Sequence, residues 1–256
     1  MFSIVPFSFH TANIHIFRHM GKYYLNIIAK KRVSLQPITK PTERLFFDMR
    51  REIDPQSSPR GRAFDLWKDA PMPKVTITKT FNIGRLVTAD QRRGLKTNML
   101  MCWCIGHAAS PIAEFYTLPA GGRLWQYDRL AVNSVVMTSK GEAHLCDIPF
   151  SEDIRQFNED YIRLTQQVHD TNEDYLLGEQ YMAIDTSALS LCEIDSVVSV
   201  YSEMFTDPFL AWGKYRRGFF KTTLPVSFQF HHAQMDGFEA ARFLNGLQEG
   251  INTLVI

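Results

Sequence analysis

The amino-acid sequence predicts an α/β protein in which strands and helices follow one another through one domain, and three observations carry that expectation. Residues 226–232 alternate as a half-buried strand does, with Val226, Phe228, Phe230 and His232 on one side and Ser227, Gln229 and His231 on the other. Directly after Asp236-Gly237 the spacing changes to Phe238, Ala241, Leu244, Leu247 and Ile251, which is helical, with Asp236 at the place of an N-cap. Residues 98–109 are rich in Met, Leu, Cys, Trp and Ile and read as a buried helix. A chain of 256 residues with 45% hydrophobic and 12% aromatic content can bury a sizeable core, and one domain is the economical reading.

Residues 1–48 do not read like the rest. No acidic residue occurs up to Thr42, whereas Arg18, Lys22, Lys30, Lys31, Arg32 and Lys40 are basic, and the apolar residues keep no period. A secretory signal would need a continuous apolar run after an early basic end, and an organellar transit peptide would need more serine. The segment therefore reads as a poorly ordered extension or an upstream start, with Met49 the alternative initiator and residues 49–256 the functional domain.

Within that domain residues 56–67 form a turn-rich lead into a short aromatic segment. Residues 74–83 set Val75, Ile77 and Phe81 against Thr76, Thr78 and Thr80, a strand with one polar face. Residues 112–118 read as a strand, Pro119-Ala-Gly-Gly122 as a hairpin turn, and a second strand starts near Leu124. Further strands fit residues 130–138 and 142–147. Ser151 and the acids behind it cap a helix that carries Ile154, Phe157, Tyr161 and Leu164 on one face. Residues 190–200 read as a strand. No internal repeat or low-complexity stretch interrupts the order.

Composition excludes several function classes. A formal net charge of +1 supplies no field for nucleic acid or for an acidic membrane. Cys102, Cys104, Cys146 and Cys192 have neither Cys-x-x-Cys spacing nor the density of a secreted disulfide scaffold, so a reducing cytoplasm fits. Cys102 and Cys104 sit in an apolar run and read as core thiols rather than as zinc ligands with His107.

Chemistry concentrates in His231-His232-Ala-Gln-Met-Asp236-Gly237. Parity puts His232 at the end of the apolar row, pointing inward, where a neutral imidazole can act as a base, and His231 on the polar side. His-His with an aspartate four residues on lacks the usual metal-ligand spacing and a third protein ligand.

The box His-His-Ala-x-x-Asp-Gly-Phe, the Leu-Pro-Val-Ser-Phe-Gln-Phe before it and the Ala-Arg-Phe-Leu-Asn-x-Leu-Gln after it resemble the C-terminal signature of the chloramphenicol acetyltransferase family. The resemblance covers residues 51–256 and implies a two-layer sandwich, a large mixed β-sheet flanked by helices. It implies acetyl transfer from acetyl-CoA to a hydroxyl of chloramphenicol or a related acceptor, with His232 as general base and no metal. Arg60, four residues before Phe64, falls where the family places the partner of the box aspartate, which implies an Arg60–Asp236 pair supporting the loop together with Gly237. Ser190 matches the oxyanion-stabilising serine, with Ser187 and Ser196 as rivals. Pro208-x-x-Ala211-x-x-Lys214-Tyr resembles a family run whose threonine is Ala211 here, removing a hydroxyl near the reacting centre. Trp67 and Val75 fall at the acceptor pocket in place of a tyrosine and a phenylalanine. The resemblance further implies a homotrimer with active sites between subunits. A related enzyme with another hydroxylated acceptor and a degenerate, non-catalytic homologue are the competing readings.

Overall fold

The structure, a computed structural model, describes residues 50–200 and 206–255, so the expectation for residues 1–48 lies outside the described residues. The longest strand, β10 (Thr222–His231), organises the rest. It pairs antiparallel with β2 (Lys74–Asn82) on one side and with β8 (Phe209–Gly213) on the other, and its first residues pair with the two-residue β9 (Arg216–Arg217). Beyond β8 the sheet continues through β7 (Tyr181–Leu189), β5 (Arg129–Met137) and β6 (Ala143–Pro149); the β8–β7 and β7–β5 pairs are parallel and the β5–β6 pair antiparallel. The result is the large mixed sheet that the sequence resemblance implies.

Helices α2 (Gly84–Arg93), α3 (Thr97–Ala109), α4 (Ile154–Thr171) and α5 (Gly237–Thr253) share one continuous core with one face of this sheet, which makes a two-layer sandwich. Helix α3 is apolar on nearly every side because it is sandwiched; it packs on α5, α4 and β5. Cys102 and Cys104 are fully buried there, and burial pushes both thiols up to about 12. Phe228, at the middle of β10, touches Phe115, Phe230 and Phe243 at ring-centroid distances of 6.1, 5.1 and 4.8 Å and joins sheet to helix.

A second, smaller layer carries the site. Strands β1 (Arg51–Ile53), β4 (Arg123–Gln126) and β3 (Thr117–Ala120) form a three-stranded antiparallel sheet, and the short helix α1 (Gly61–Trp67) packs beside it. Phe64, Leu124 and Ala233 form their own buried cluster, with Ile53 and Trp67 against it. The turn between β3 and β4 uses Gly121 and Gly122 at φ of 60° and 72°, the left-handed conformation that the sequence reading of a hairpin required.

Several expectations are corrected. Residues 113–116 form a 3-10 turn, and the strand starts only at Thr117. Asp153, not Ser151, caps α4, its carboxylate accepting from the Arg155 N–H. Residues 190–200 are turn and irregular backbone rather than a strand, because β7 already ends at Leu189. Phe238 and Ala241 are exposed, and α5 buries Ala240, Phe243, Leu244, Leu247 and Ile251 instead. Helix α2 buries only Leu86 and Val87, too little to announce itself by apolar spacing.

Truncating Phe228 removes the ring that three other aromatic side chains pack against. Phe228→Ala is expected to cost about 3–5 kcal/mol of stability, measured by denaturant unfolding, whereas Phe228→Leu, which keeps most of the volume, costs less.

Candidate active site

Strand β10 ends at His231, and the next five residues turn sharply into α5. The carbonyl and the ring of His231 belong to this turn: the carbonyl accepts from Gln234 N–H at 2.9 Å, and Nδ1 accepts from Ala233 N–H at 3.0 Å. The expectation from parity is reversed here. His231 is 2% exposed, whereas His232, one residue past the strand, keeps 29% of its side-chain exposure. The reason is that both faces of β10 are covered: the helices cover Phe228 and Phe230, and residues 197 and 199 lend a backbone N–H to Ser227 Oγ and a carbonyl to Gln229. Burial, with the charge of Lys74 close by, lowers His231 to about 4, so it is neutral near pH 7 and its ring serves the turn.

The His232 ring is stacked on the Trp67 indole, with ring centroids 4.5 Å apart and planes 9° from parallel. Its backbone is held at both ends: the N–H donates to the Pro73 carbonyl at 2.8 Å, and the carbonyl accepts from Arg60 Nη2 at 2.8 Å. Nδ1 lies 3.0 Å from Asp236 Oδ1, off the line a directed hydrogen bond would follow, and is buried. With Nδ1 buried and one ring face covered by Trp67, the 29% side-chain exposure that His232 keeps lies on the rest of the ring.

Asp236 gives its carboxylate to Arg60. Nη1 donates to Oδ2 at 2.6 Å and Nη2 to Oδ1 at 3.0 Å, a bidentate pair, while Nε reaches the Ala233 carbonyl at 3.4 Å. One guanidinium thus ties residues 232, 233 and 236 together from a position 172 or more residues away in sequence. The Arg60 hydrogen bond holds the Asp236 carboxyl below the usual carboxylate range, although burial opposes the shift. Arg60 is itself raised, the pull of Asp236 outweighing the cost of burial. Asp236 also N-caps α5, and Glu239 Oε2 accepts from its N–H at 2.9 Å.

Two supports escaped the sequence reading. Gly61, next to Arg60, lies so close to the Pro55 carbonyl that any Cβ would collide with it, so the turn that presents Arg60 requires glycine. Gln234 is fully buried and donates through Nε2 to the carbonyls of Thr117 (2.8 Å) and Glu114 (3.2 Å), fixing the loop to the small sheet. Neither belongs to a recognisable motif; a glutamine inside an apolar-flanked box was the available signal.

The remaining predicted residues fall elsewhere. Gly237 starts α5, exposed, with open space where a Cβ would stand. Val75 pairs with Phe230 and packs on the core. Ala211 pairs with Ser227 on one side and with Ser187 on the other, deep in the sheet. His232 lies five residues along β10 from Ser227, roughly 16 Å at the rise of a strand, so the Ser187–Ala211 row and the histidine do not meet within one chain. Ser190 is exposed in the turn after β7, and Ser196 is exposed in the irregular segment; because β7 runs opposite to β10, Ser190 is more distant still.

A mixed sheet with one helical layer, ending in a loop that fixes a histidine beside a helix-capping aspartate, defines an acyltransferase core. A family model described as chloramphenicol acetyltransferase matches residues 50–248, and the chain belongs to that family. It is 25% identical over 209 residues to chloramphenicol acetyltransferase 3 of Escherichia coli, covering 79% of this chain and 97% of that protein. Chloramphenicol acetyltransferase 2 of Escherichia coli is 27% identical over 202 residues, covering 77% and 94%. Among solved structures a chloramphenicol acetyltransferase superposes with a TM-score of 0.70 at 19% identity, covering 79% of this chain and all of the other. A catalytic core of the 2-oxoacid dehydrogenase multienzyme complex from Thermoplasma acidophilum gives 0.58 at 12% identity, covering 85% and 99%, a likeness of fold alone.

The depressed Asp236 carboxyl stabilises the folded chain above its unfolded pKa of about 3.9, and the contribution is lost as pH falls through the lower folded value. Removing Arg60 removes the depression. Arg60→Met is expected to move the acid-unfolding midpoint, followed by tryptophan fluorescence, to higher pH. At pH 7 it should cost about 1–2 kcal/mol, a low figure because Asp236 is half exposed and water replaces part of the lost pairing.

Proposed function

We propose that this chain is a CoA-dependent O-acetyltransferase that moves acetyl from acetyl-CoA to a hydroxyl of chloramphenicol or a related small molecule, with His232 as general base. The observation that carries the reading is the His232 ring, stacked on Trp67 with Nδ1 buried and its side chain still 29% exposed, which leaves Nε2 as the nitrogen for an incoming hydroxyl. Nε2 takes the proton from the acceptor hydroxyl as its oxygen attacks the thioester carbonyl carbon. The tetrahedral intermediate then collapses, the carbon–sulfur bond breaks, and the departing CoA thiolate takes the proton back from the imidazolium. The products are the acetyl ester and free CoA thiol. Such base assistance is worth about a hundred- to ten-thousandfold. The chemistry needs neither an acyl-enzyme nor a metal.

The oxyanion donor is better assigned to Ser187 than to Ser190. Ser187 stands in β7 opposite Ala211, the position of the family threonine, whereas Ser190 is in an exposed turn. Since Ser187 and His232 lie apart in one chain, the reading includes a homotrimer in which a neighbouring copy brings its Ser187 row to this His232. Trp67, where the family has a tyrosine, removes a phenol hydroxyl and enlarges the ring over the base; it favours an acceptor with a flat face, chloramphenicol or another hydroxylated aromatic.

Thiol release from acetyl-CoA, followed with and without chloramphenicol, tests the proposal. Drug-dependent release should fall about a hundredfold or more in His232→Ala. Ser187→Ala should lower it by roughly the hundred- to thousandfold typical of an oxyanion donor, and Ser190→Ala should leave it unchanged. Release with another hydroxylated aromatic only would move the acceptor and keep the mechanism. No release with any acceptor and no CoA binding would sink the enzyme reading in favour of a non-catalytic homologue.

A further inference from the structure

Between β9 and β10 the chain reverses through Gly218-Phe219-Phe220-Lys221, closed by a Gly218 N–H to Lys221 C=O hydrogen bond of 2.9 Å. The two loop residues are both phenylalanine, 94% and 90% exposed, packed edge to face with ring centroids 4.7 Å apart. Turns of this length are ordinarily filled by Gly, Asn, Asp or Ser, whose backbones or short polar side chains suit them. Nothing in the turn geometry asks for two large apolar rings in water, and neither has a positive φ.

Charge around the tip is mixed but mostly basic, four cations against the two carboxylates that pair with Arg216. Arg216 is occupied by Asp195 at 2.7 Å and Glu193 at 3.3 Å. Lys214, Arg217 and Lys221 are exposed, and Arg217 lies over the Tyr215 ring, 5.6 Å from its centroid. The net charge of +1 averages this cluster away over the whole chain. The tip is also remote from the site already described: it leads into the first residue of β10, and His232 follows the last, about 30 Å along the strand.

We infer that this hairpin tip is a contact for an anionic lipid surface, with Phe219 and Phe220 entering the interfacial layer and Arg217 and Lys221 meeting phosphate headgroups. Ligand sites for small molecules are concave; this is a protrusion, which a soft bilayer accepts and a pocketed ligand does not. Apolar rings flanked by cations are the composition of interfacial anchors, each basic residue adding attraction to an anionic leaflet. No helix among the described residues is long and apolar enough to cross a membrane. The contact is independent of the proposed acetyl transfer.

Co-sedimentation of the full chain with phosphatidylcholine vesicles containing phosphatidylglycerol, against phosphatidylcholine alone, tests it. Binding should require phosphatidylglycerol, weaken with salt, and fall roughly tenfold or more in the Phe219→Ser/Phe220→Ser double variant, which removes the apolar area. Arg217→Glu/Lys221→Glu should abolish the preference for phosphatidylglycerol. Circular dichroism and thiol release should be unchanged in both. Absence of vesicle binding, or binding that the phenylalanine variant keeps, overturns the inference. A raised KM for acetyl-CoA in the phenylalanine variant without vesicle binding would assign the tip to CoA, and a change of oligomeric state without vesicle binding would assign it to contact between copies.

Discussion

The rest of the site depends on one guanidinium. Arg60 makes four hydrogen bonds into the loop after β10, to the carbonyls of His232 and Ala233 and to both oxygens of Asp236. A five-residue turn between a strand and a helix leaves several backbone carbonyls without partners, and a planar fork with fixed donor directions can satisfy them only in one arrangement. Arg60 is 9% exposed while Asp236 keeps 48% of its side-chain exposure, so the guanidinium is fixed by its buried surroundings and water screens part of the pair. Asp236 is shared between two partners: its carboxylate takes the bidentate fork of Arg60 and lies 3.0 Å from His232 Nδ1, while the ring stacks on Trp67.

The small sheet exists, in functional terms, to present that arginine and to receive the loop. Its cluster of Phe64, Leu124 and Ala233 joins α1, β4 and the histidine loop, and Gln234 adds one hydrogen bond to Thr117 at the start of β3 and one to Glu114 just before it. The large sheet supplies rigidity from the other side, since β10 is paired on both edges and buried on both faces. Rigidity on both sides is what the proposed general-base role asks of His232, whose imidazole would have to meet a substrate oxygen at hydrogen-bond distance.

Much of this was legible in the sequence, and the reasons differ by element. Helix α4 announces itself because burial on one side imposes a period, and β2 and β10 because apolar and polar residues alternate along them; α3 was legible as an unbroken apolar run, since it is buried on nearly every side. The box at residues 231–237 carried the family, and a match four residues before Phe64 identified Arg60, which no local pattern could have linked to Asp236. The assignment of burial to the two histidines failed because parity assumes one wet face, and residues 190–200 dry the other. Strand β7 was missed: the sequence reading put a strand at residues 190–200, where Ser190 sits among apolar neighbours, whereas the strand is Tyr181–Leu189 and its pairing with β8 stops there. Gln234, Gly61 and the stacking of Trp67 are tertiary facts, set by which segments meet, and only coordinates display them.

The central claim is that Arg60 and Asp236 act as one unit that positions His232. A double-mutant cycle on the rate of thiol release from acetyl-CoA, using Arg60→Met, Asp236→Asn and the pair together, tests it most directly. If the two are one clamp, the double variant is no slower than the slower single variant within about a factor of two, because the first substitution already releases the loop. Losses that multiply would show two independent contributions and contradict the account.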